Sequence, residues 1–478
     1  MAFLRGAPLS ALASLLLVGA CSGDDDTGSD FGPGTGSGGD NGGSGSGNGS
    51  GSGAGLCNSF VVTNLTADRS GAGGASNVNP FLVNPWGIAA YQGMFWVADE
   101  ATGRVSILDG SGKAATGKTA SDRLDLGPGI TGVTVNDSTA MQIEGQNACG
   151  PANLIFGNLN GQLIGVNTDL DATGGFVLAD RSSAGASYTG VTTIHVRASS
   201  SGNGGGRGSG SVQGLGAGQG SGSGSGRGCG QGSGQGGQNA GPVLALAADF
   251  HNARIDVFNE NFRLVPAPMF TTPVGVPAGF APFNIWAWNN VVYVTYAQQR
   301  SGGTGSSSAG LGSGGAGSGS GSGAGSGSGG GGTVAGAGLG YVAAFDTTGK
   351  LLWLAKGSEL NAPWGLAVGD QTSLCDQTQT SAFAGVLLVG NYGDGRVTAL
   401  DSHTGAVLGQ LMDPNHTPIS IDGLWGLTFG TNIQGAVAGG LYFTAGTGNE
   451  QHGMFGVITW SPTSTRTTDP RLLTSASP

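Results

Sequence analysis

Short apolar runs separated by turn residues recur along most of the chain, and they predict β-strands. The runs are about five to seven residues long, and no window outside the first twenty residues shows the period of an amphipathic helix. They group into a repeat of about 50–60 residues: an opening such as Asn84–Ala89, Ala362–Ala367 or Gly423–Thr428, then a run that ends in a small polar residue, then a third run. Six such repeats predict an all-β fold, a six-bladed β-propeller.

Turn chemistry predicts how each blade ends. After the third run comes an aspartate with a glycine three or four residues later, as at Asp109 and Gly112. The aspartate can cap its own turn and glycine tolerates positive φ, so these residues predict hairpins that connect the third strand to an outer strand. The sixth repeat has no such hairpin after Trp460. We therefore predict that Ser59–Thr66 pairs with the sixth blade and closes the ring.

The amino-acid composition shows that the propeller repeats are preceded and interrupted by segments that we do not expect to fold. Of the 478 residues, 100 are glycine, and the excess lies in three Gly/Ser-rich segments with almost no large apolar side chains. Such segments cannot offset the entropy of ordering, so we expect them to be disordered. The predicted organisation is a signal peptide at 1–20, a tether at 21–56, a propeller at 57–468 with disordered inserts at 199–241 and 299–340, and a tail at 469–478.

The N-terminus predicts export. Arg5 precedes the apolar run Leu9–Val18, which is too short to span a bilayer and ends in Gly19-Ala20-Cys21. This ending resembles a bacterial lipobox, which implies that Cys21 is lipidated; an ordinary secretory signal stays open as the alternative. Ser22 after the cysteine resembles the outer-membrane sorting signal of Gram-negative bacteria. We therefore expect a lipid-anchored protein of the cell envelope, attached to the membrane through its N-terminal lipid.

Charge excludes one class of partner. The formal net charge of −11 and the pI of about 4.7 argue against a nucleic-acid partner, because phosphate binding needs a basic surface.

Propeller topology assigns residues to faces. The blade openings and the turns between second and third strands share one end of the ring, which we call the upper face; the opposite end is the lower face. The predicted polar residues of the upper face are the pairs Asp99/Arg104, Asp249/Arg254 and Asn391/Arg396, together with Asn284 and Asp422. Two interpretations remain open: bonds that lock turns, or a polar funnel that binds a ligand or a cation.

Four further cysteines fall on the lower face by the same reasoning. They are an even number in a protein predicted to be exported, which favours disulfides. Neighbouring blades favour the pairs Cys57–Cys375 and Cys149–Cys229. Other pairings, or free thiols, stay open.

Several motifs together resemble an uncharacterised family of exported bacterial six-bladed propellers, related to NHL-repeat and TolB-like propellers. The motifs are Asn84–Gly87, Ala248–Phe258, Ala281–Ile285, Asn391–Arg396 and Ile421–Leu427. The resemblance covers about 58–460 apart from the inserts. It implies the fold and does not imply a reaction, since propellers host many functions.

Two functions follow as hypotheses. The first is a monomeric binding or scaffold module, without a cofactor, that presents its funnel to a glycan, a peptide or an envelope protein. The second is a calcium-dependent lactonase- or esterase-like hydrolase, because gluconolactonase-like enzymes use this fold with one Ca²⁺ held by acidic and amide side chains. Asn84 stands where those enzymes carry an acid, which weakens the second hypothesis. If a metal binds, its candidate ligands are Asp99, Asp249, Asn284, Asn391 and Asp422.

Three tryptophans recur at one position of the blade openings. Trp86, Trp364 and Trp425 each precede a glycine. They can pack between blades or form an aromatic collar around a ligand, and the sequence does not decide between these roles.

Overall fold

Six small sheets contain nearly all the strands of the described chain, and they are antiparallel except where Asn77–Val78 runs parallel to Phe60–Ala67. The computed structural model describes residues 59–115, 124–145, 148–196, 242–266, 269–300, 332–369 and 385–461. The predicted signal peptide, tether and tail, the whole first insert and residues 301–331 of the second lie outside these residues. The described ends of the second insert, predicted to be disordered over 299–340, differ from that prediction, because Gln299 ends a strand and Thr333–Val334 form another. Within these described residues, helix is limited to two short 3₁₀ turns, Ala72–Gly74 and Ser182–Ala184, and to one helical turn, α1, at Thr447–Glu450. Among the described residues, no helix has the length and apolar character needed to cross a membrane.

The strands follow one another with short turns. In chain order they are β1 (Phe60–Ala67), β2 (Asn77–Val78), β3 (Pro85–Tyr91), β4 (Met94–Asp99), β5 (Arg104–Leu108), β6 (Leu124–Asp125), β7 (Ile130–Val135), β8 (Gln142–Glu144), β9 (Cys149–Pro151), β10 (Leu154–Asn158), β11 (Gln162–Val166), β12 (Phe176–Asp180), β13 (Tyr188–His195), β14 (Val243–Asp249), β15 (Arg254–Phe258), β16 (Phe280–Trp288), β17 (Val291–Gln299), β18 (Thr333–Val334), β19 (Gly340–Asp346), β20 (Leu351–Lys356), β21 (Pro363–Val368), β22 (Val386–Asn391), β23 (Val397–Asp401), β24 (Val407–Gln410), β25 (Leu424–Phe429), β26 (Leu441–Ala445) and β27 (Met454–Trp460).

The sheets are the blades of a propeller. Blade one is β3-β4-β5-β6, blade two β7-β10-β11-β12, blade three β13-β14-β15, blade four β16-β17-β19-β20, blade five β21-β22-β23-β24 and blade six β25-β26-β27-β1. The first strand of each blade contacts the first strand of the next, and β25 contacts β3, so these inner strands form a closed circle. The predicted six-bladed propeller is confirmed. Blade three differs from the expected pattern because only three of its strands are present among the described residues.

The ring closes as the sequence predicted. Strand β1 runs antiparallel to β27, with Phe60 opposite Trp460 and Ala67 opposite Met454, and one irregularity between Asn64 and Thr66. The first strand of the fold therefore supplies the outer part of the last blade, which leaves no open edge on β27.

The turns form for the reason given by their residue types. Asp109 Oδ1 accepts hydrogen bonds from the backbone N–H groups of Ser111 (2.8 Å) and Lys113 (3.0 Å), and Gly112 has φ 79°. Asp346 accepts equivalent bonds from Thr348 and Lys350. An aspartate that satisfies its own turn ends one strand and directs the chain into the next.

Apolar residues fill the space between blades. Each of six buried clusters joins two neighbouring blades; for example, Trp96 and Val105 of blade one pack with Leu154 and Phe156 of blade two. Both faces of a central strand are therefore covered, which is why β4 and β22 are buried along their whole length.

Glycine sets the distance between the inner strands. A Cβ on Gly87 would lie 2.5 Å from the carbonyl oxygen of Thr131 in the next blade, and a Cβ on Gly426 would lie 2.6 Å from that of Trp86. Five inner strands have glycine as their third residue, and we call these positions, with Asn284 of β16 as the sixth, the glycine ring. Its glycines are Gly87, Gly132, Gly190, Gly365 and Gly426.

Candidate functional site

An aromatic cluster occupies the propeller axis just inside the upper face. Trp425 is stacked between Trp86 (ring centroids 3.8 Å apart) and Tyr392 (4.2 Å), and the edge of Trp364 meets Trp425 at 5.7 Å. Residues from all six blades contribute to this axial aromatic cluster, and Trp86 is only 1% exposed. The cluster fills the upper end of the axis. Its aromatic members are Trp86, Phe250, Phe283, Trp364, Tyr392 and Trp425.

Two repeat positions build the cluster. Trp86, Trp364 and Trp425 are second residues of inner strands, and they meet one another across the axis. Phe250 and Tyr392 directly follow second strands, so they enter the cluster from the turns above it. Of the two roles considered for the tryptophans, the structure places them in mutual packing at the axis.

A polar group lies directly on this cluster. The side-chain NH₂ of Asn84 donates to Glu100 Oε2 (2.9 Å) and to Glu450 Oε2 (3.4 Å). The hydroxyl of Tyr392 donates to Glu450 Oε1 (2.7 Å). These four residues come from blades one, five and six and converge at the upper end of the axis. We call Asn84, Glu100, Tyr392 and Glu450 the carboxylate site.

The orientation of the Asn84 amide follows from its neighbour in the cluster. Trp425 Nε1 donates to Asn84 Oδ1 at 3.0 Å, and an indole nitrogen can only donate. The amide oxygen therefore faces the tryptophan and the NH₂ group faces the two carboxylates. Asn84 is 3% exposed, so its amide is held in this orientation by buried contacts.

Burial shapes the electrostatics of the carboxylate site. It raises the pKa of Glu100, and the bond from Asn84 opposes that rise. Burial also raises the pKa of the Tyr392 hydroxyl, with Glu450 and Asp422 adding to the shift and Arg300 opposing it. The tyrosine is therefore a neutral hydrogen-bond donor at physiological pH, and Glu450 Oε1 is its acceptor.

The residues predicted at the ends of second strands lie at the upper end of their blades but are buried. Asp99 is 0% exposed; Ser106 Oγ donates to its Oδ2 at 2.5 Å, and burial raises its pKa well above the ordinary value. Asn391 is also fully buried: its Oδ1 accepts the backbone N–H of Asn361 (3.0 Å), and its NH₂ donates to Thr398 Oγ1 (3.0 Å). These contacts fix the chain where a blade begins.

The three predicted pairs behave differently. Arg254 contacts Asp249 (3.6 Å) and more closely Asp256 (2.8 Å), so an ion pair forms in blade three. Arg104 instead lies over the ring of Phe81 at 4.1 Å. In blade five the contact runs from the Asn391 side chain to the backbone carbonyl of Arg396 (3.2 Å), while the Arg396 guanidinium donates to Gln410 (3.4 Å).

The other two predicted residues, Asn284 and Asp422, differ in their position and in their exposure to solvent. Asn284 is 8% exposed and belongs to the glycine ring, where its NH₂ donates to the carbonyl of Trp364 (2.8 Å). Asp422 is exposed on the upper face and accepts the backbone N–H of Gly448 (2.8 Å). Of the candidate metal ligands, only Asp422 therefore lies at the surface near the carboxylate site. Within the described residues, no group of three or more His, Cys, Asp or Glu side chains is arranged to hold a metal ion.

One of the predicted cysteines can be placed. Cys149 begins β9, in the hairpin between the first and second strands of blade two, and it is disulfide-bonded. Cys21, Cys57, Cys229 and Cys375 lie outside the described residues, so the predicted pairing stays a prediction.

Sequence reasoning missed Glu100 and Glu450. It selected Asp99, Asp249 and Asn391, whereas the residue that reaches the axis is the next one along the chain: Glu100, Phe250 or Tyr392. Side chains of a strand alternate between its faces, so the last strand residue enters the core between blades and the following one turns to the axis. The position after the second strand recurs in the repeat, so the repeat pattern could have identified it as a position that faces the axis.

Comparison with known proteins gives distant relatives. No family model matches the chain. It is 24% identical over 363 residues to the uncharacterised protein R648 of Acanthamoeba polyphaga mimivirus, covering 74% of this chain and 70% of the relative. It is 22% identical over 359 residues to the uncharacterised protein L690 of the same virus, covering 74% and 75%. These viral relatives do not support the bacterial, exported family implied by the motifs, which stays a prediction.

Solved propellers are similar in architecture only. BamB from Moraxella catarrhalis covers 79% of this chain and 82% of its own, with 12% identity and a TM-score of 0.29. The soluble aldose sugar dehydrogenase from Escherichia coli covers 84% and 100%, with 12% identity and a TM-score of 0.38. At this distance they share a kind of fold with this chain and carry no functional argument.

Proposed function

We propose that the chain is a binding module that captures a basic group of a partner, such as a lysine or arginine side chain of a peptide or protein, on its upper face. The observation that carries the proposal is the convergence of Glu100 and Glu450 on the fixed NH₂ of Asn84, directly above the stacked rings of Trp425 and Tyr392. Carboxylates above aromatic rings suit an organic cation, through charge-assisted hydrogen bonds and contact with the rings.

The chemistry favours an organic cation over a metal ion. Calcium takes six to eight oxygen ligands. Asn84 turns its NH₂ group toward the carboxylates and uses its oxygen for Trp425, so it offers a donor where a metal ion needs an oxygen. An ammonium or guanidinium group needs only the carboxylate oxygens. The calcium-dependent hydrolase is for this reason the less well supported hypothesis.

The test compares two blocked probes with the same four-carbon side chain by isothermal titration calorimetry. They are N-acetyl-lysine N-methylamide, which carries a terminal ammonium group, and its norleucine counterpart, which does not. We expect the lysine probe to bind and the norleucine probe not to bind. A charge-assisted hydrogen bond is worth about 1.5–3 kcal/mol, so Glu100→Gln or Glu450→Gln should weaken lysine binding by about 10- to 100-fold. Glu144→Gln, on an exposed glutamate of β8, is the matched control and should leave binding unchanged.

Three results would contradict the proposal. They are equal binding of both probes, equal effects of Glu450→Gln and Glu144→Gln, or binding of a neutral oligosaccharide without binding of the lysine probe. The last result would replace the peptide with a glycan.

We also propose that the module is attached to the cell envelope, at the outer membrane, by a lipid on Cys21. The support is the sequence Leu9–Cys21, with its apolar run and small residues before the cysteine. Expression in a Gram-negative host with labelled palmitate should label the chain, and Cys21→Ser should abolish the label. A label that persists in Cys21→Ser would refute the anchor.

A further inference from the structure

An open space lies on the propeller axis, at and below the glycine ring. It is a cavity of about 290 Å³ with walls from all six inner strands, from Gly87 to Ala90 in β3 and from Gly132 to Val135 in β7. Its lower lining residues Ala90 and Val135 are half-buried, whereas Trp364 at its upper end is 3% exposed. The cavity therefore opens at the lower face, and the axial aromatic cluster separates it from the carboxylate site.

Among the residues that the structure describes, no charged side chain lines this cavity. The lining consists of Gly, Ala, Val, Ile, Leu, Trp, Thr and Asn residues. An ion placed there would lose hydration without gaining a side chain of opposite charge, and hydrogen bonds to neutral groups repay that cost only in part. The cavity thus selects against charged ligands.

The walls nevertheless offer hydrogen-bonding groups. Each inner strand is hydrogen-bonded along one edge only, to the second strand of its blade, so its other edge is turned to the axis. Such an edge presents backbone N–H and C=O groups. Thr192 Oγ1 accepts one of them, the N–H of Ala287 (3.1 Å), and Thr193 Oγ1 donates to another, the C=O of Val135 (3.1 Å). A purely apolar ligand would remove water from the remaining groups at a cost of about 1–3 kcal/mol for each group left unsatisfied.

Apolar contact is available in the same space. The residue after each glycine-ring position is aliphatic, and all six line the cavity: Ile88, Val133, Val191, Ile285, Leu366 and Leu427. They are also members of, or pack against, the clusters between blades, which holds this part of the wall in place. A ligand that fits must therefore be uncharged, carry both a donor and an acceptor, and have small apolar groups.

We infer that the axial cavity is a second binding site, for a small uncharged ligand that bears amide groups, such as a short blocked peptide with small side chains. An amide supplies one donor and one acceptor without charge, which matches strand edges. With about 30 Å³ for each water in the liquid, the cavity has room for about ten water molecules. A ligand of about ten non-hydrogen atoms is the size that fills it.

The test uses N-acetylglycine N-methylamide as the probe and N-acetylglycine, which is similar in size but anionic, as its counterpart. Trp286 lines the cavity, so saturation-transfer NMR on the full chain can be read on its indole signals as well as on the probe. We expect the neutral probe to bind with at least tenfold higher affinity than the anion. Ala90→Phe should abolish binding, and Val177→Phe, on an outer strand where Val177 is 59% exposed, should not change it.

A second filling variant, Thr134→Phe, keeps the test valid if Ala90→Phe fails to fold. Equal binding of neutral and anionic probes would overturn the inference, and so would unchanged binding in a folded filling variant. The two sites can fail separately. Glu100→Gln should leave cavity binding unchanged, and a folded filling variant should still bind the lysine probe at the upper face.

Discussion

The glycine ring predicts a large effect from the addition of a single methyl group. In Gly426→Ala the new Cβ would lie 2.6 Å from the carbonyl oxygen of Trp86, 2.7 Å from Thr444 Oγ1 and 2.8 Å from Ile88 Cγ2. Carbon atoms in favourable contact are about 3.5–4.0 Å apart. Blades six and one would therefore have to separate by about 1 Å at the axis.

The magnitude follows from these contacts. Overpacking costs about 1–3 kcal/mol. The separation also strains two buried hydrogen bonds, from Thr444 Oγ1 to the Trp86 carbonyl (2.6 Å) and from the Gly426 N–H to Thr444 Oγ1 (2.8 Å). The lower entropy of unfolded alanine returns about 0.4–1 kcal/mol. We expect a net loss of about 2–4 kcal/mol, which lowers the melting temperature by about 4–16 °C at roughly 2–4 °C per kcal/mol.

Differential scanning calorimetry and urea unfolding measure this loss. Gly174→Ala is the matched control, because the nearest atom to its Cβ would be a flexible carboxylate oxygen, Asp171 Oδ2, at 3.3 Å. The control should change the free energy of unfolding by no more than about 0.5 kcal/mol. Equal midpoints for the two variants would show that close approach at the glycine ring does not hold neighbouring blades together.

Three further predictions concern other parts of the fold. Burial raises the pKa of Asp99, so above about pH 4 the folded chain keeps a proton that the unfolded chain has lost, and the free energy of unfolding falls as pH rises through the raised pKa. Asp99→Asn should reduce this dependence of the free energy of unfolding on pH, measured by urea unfolding at several pH values. An unchanged pH dependence would refute the assignment. Micromolar Ca²⁺ should leave the melting temperature unchanged, and Asp249→Ala should lower it equally with and without Ca²⁺; a calcium-dependent rise of several degrees would favour the hydrolase. Val61 and Thr459 are Cα partners, so cysteines at both positions should form a disulfide. The disulfide should raise the free energy of unfolding by up to about 4 kcal/mol, and reduction should remove this gain. Failure to cross-link would contradict the register of β1.

Much of the architecture was predictable because the blades repeat a similar local pattern of apolar runs and turn residues. The run Val386–Asn391 and the strand β22 coincide, and the closing strand was expected at Ser59–Thr66 and lies at Phe60–Ala67. Blade three departs from the repeat. Phe258 makes a single β-bridge with Leu264, and no fourth strand follows among the described residues. The sequence differs there as well, because the third run is followed by Asn259–Phe262 and not by an aspartate with a glycine three or four residues later.

The candidate site was less predictable, because it depends on contacts between distant repeats. Asn84 meets Glu450, 366 positions away, and the sequence gives no measure of that proximity. Asp99 and Glu100 are adjacent, and strand geometry buries the first while turning the second to the axis. Arg104 is the Cα partner of Asp99 in the β4–β5 pair, yet its guanidinium lies over the ring of Phe81.

The closing strand also has a consequence for synthesis. Phe60 pairs with Trp460, so the ribosome makes β1 first while its partner is made 400 positions later. At about 5–20 residues per second, β1 waits roughly 20–80 s without its native neighbour. During that interval β1 has only its two-residue pairing with β2, so most of both its edges can pair with another nascent chain. Slower translation should therefore increase aggregation of this protein.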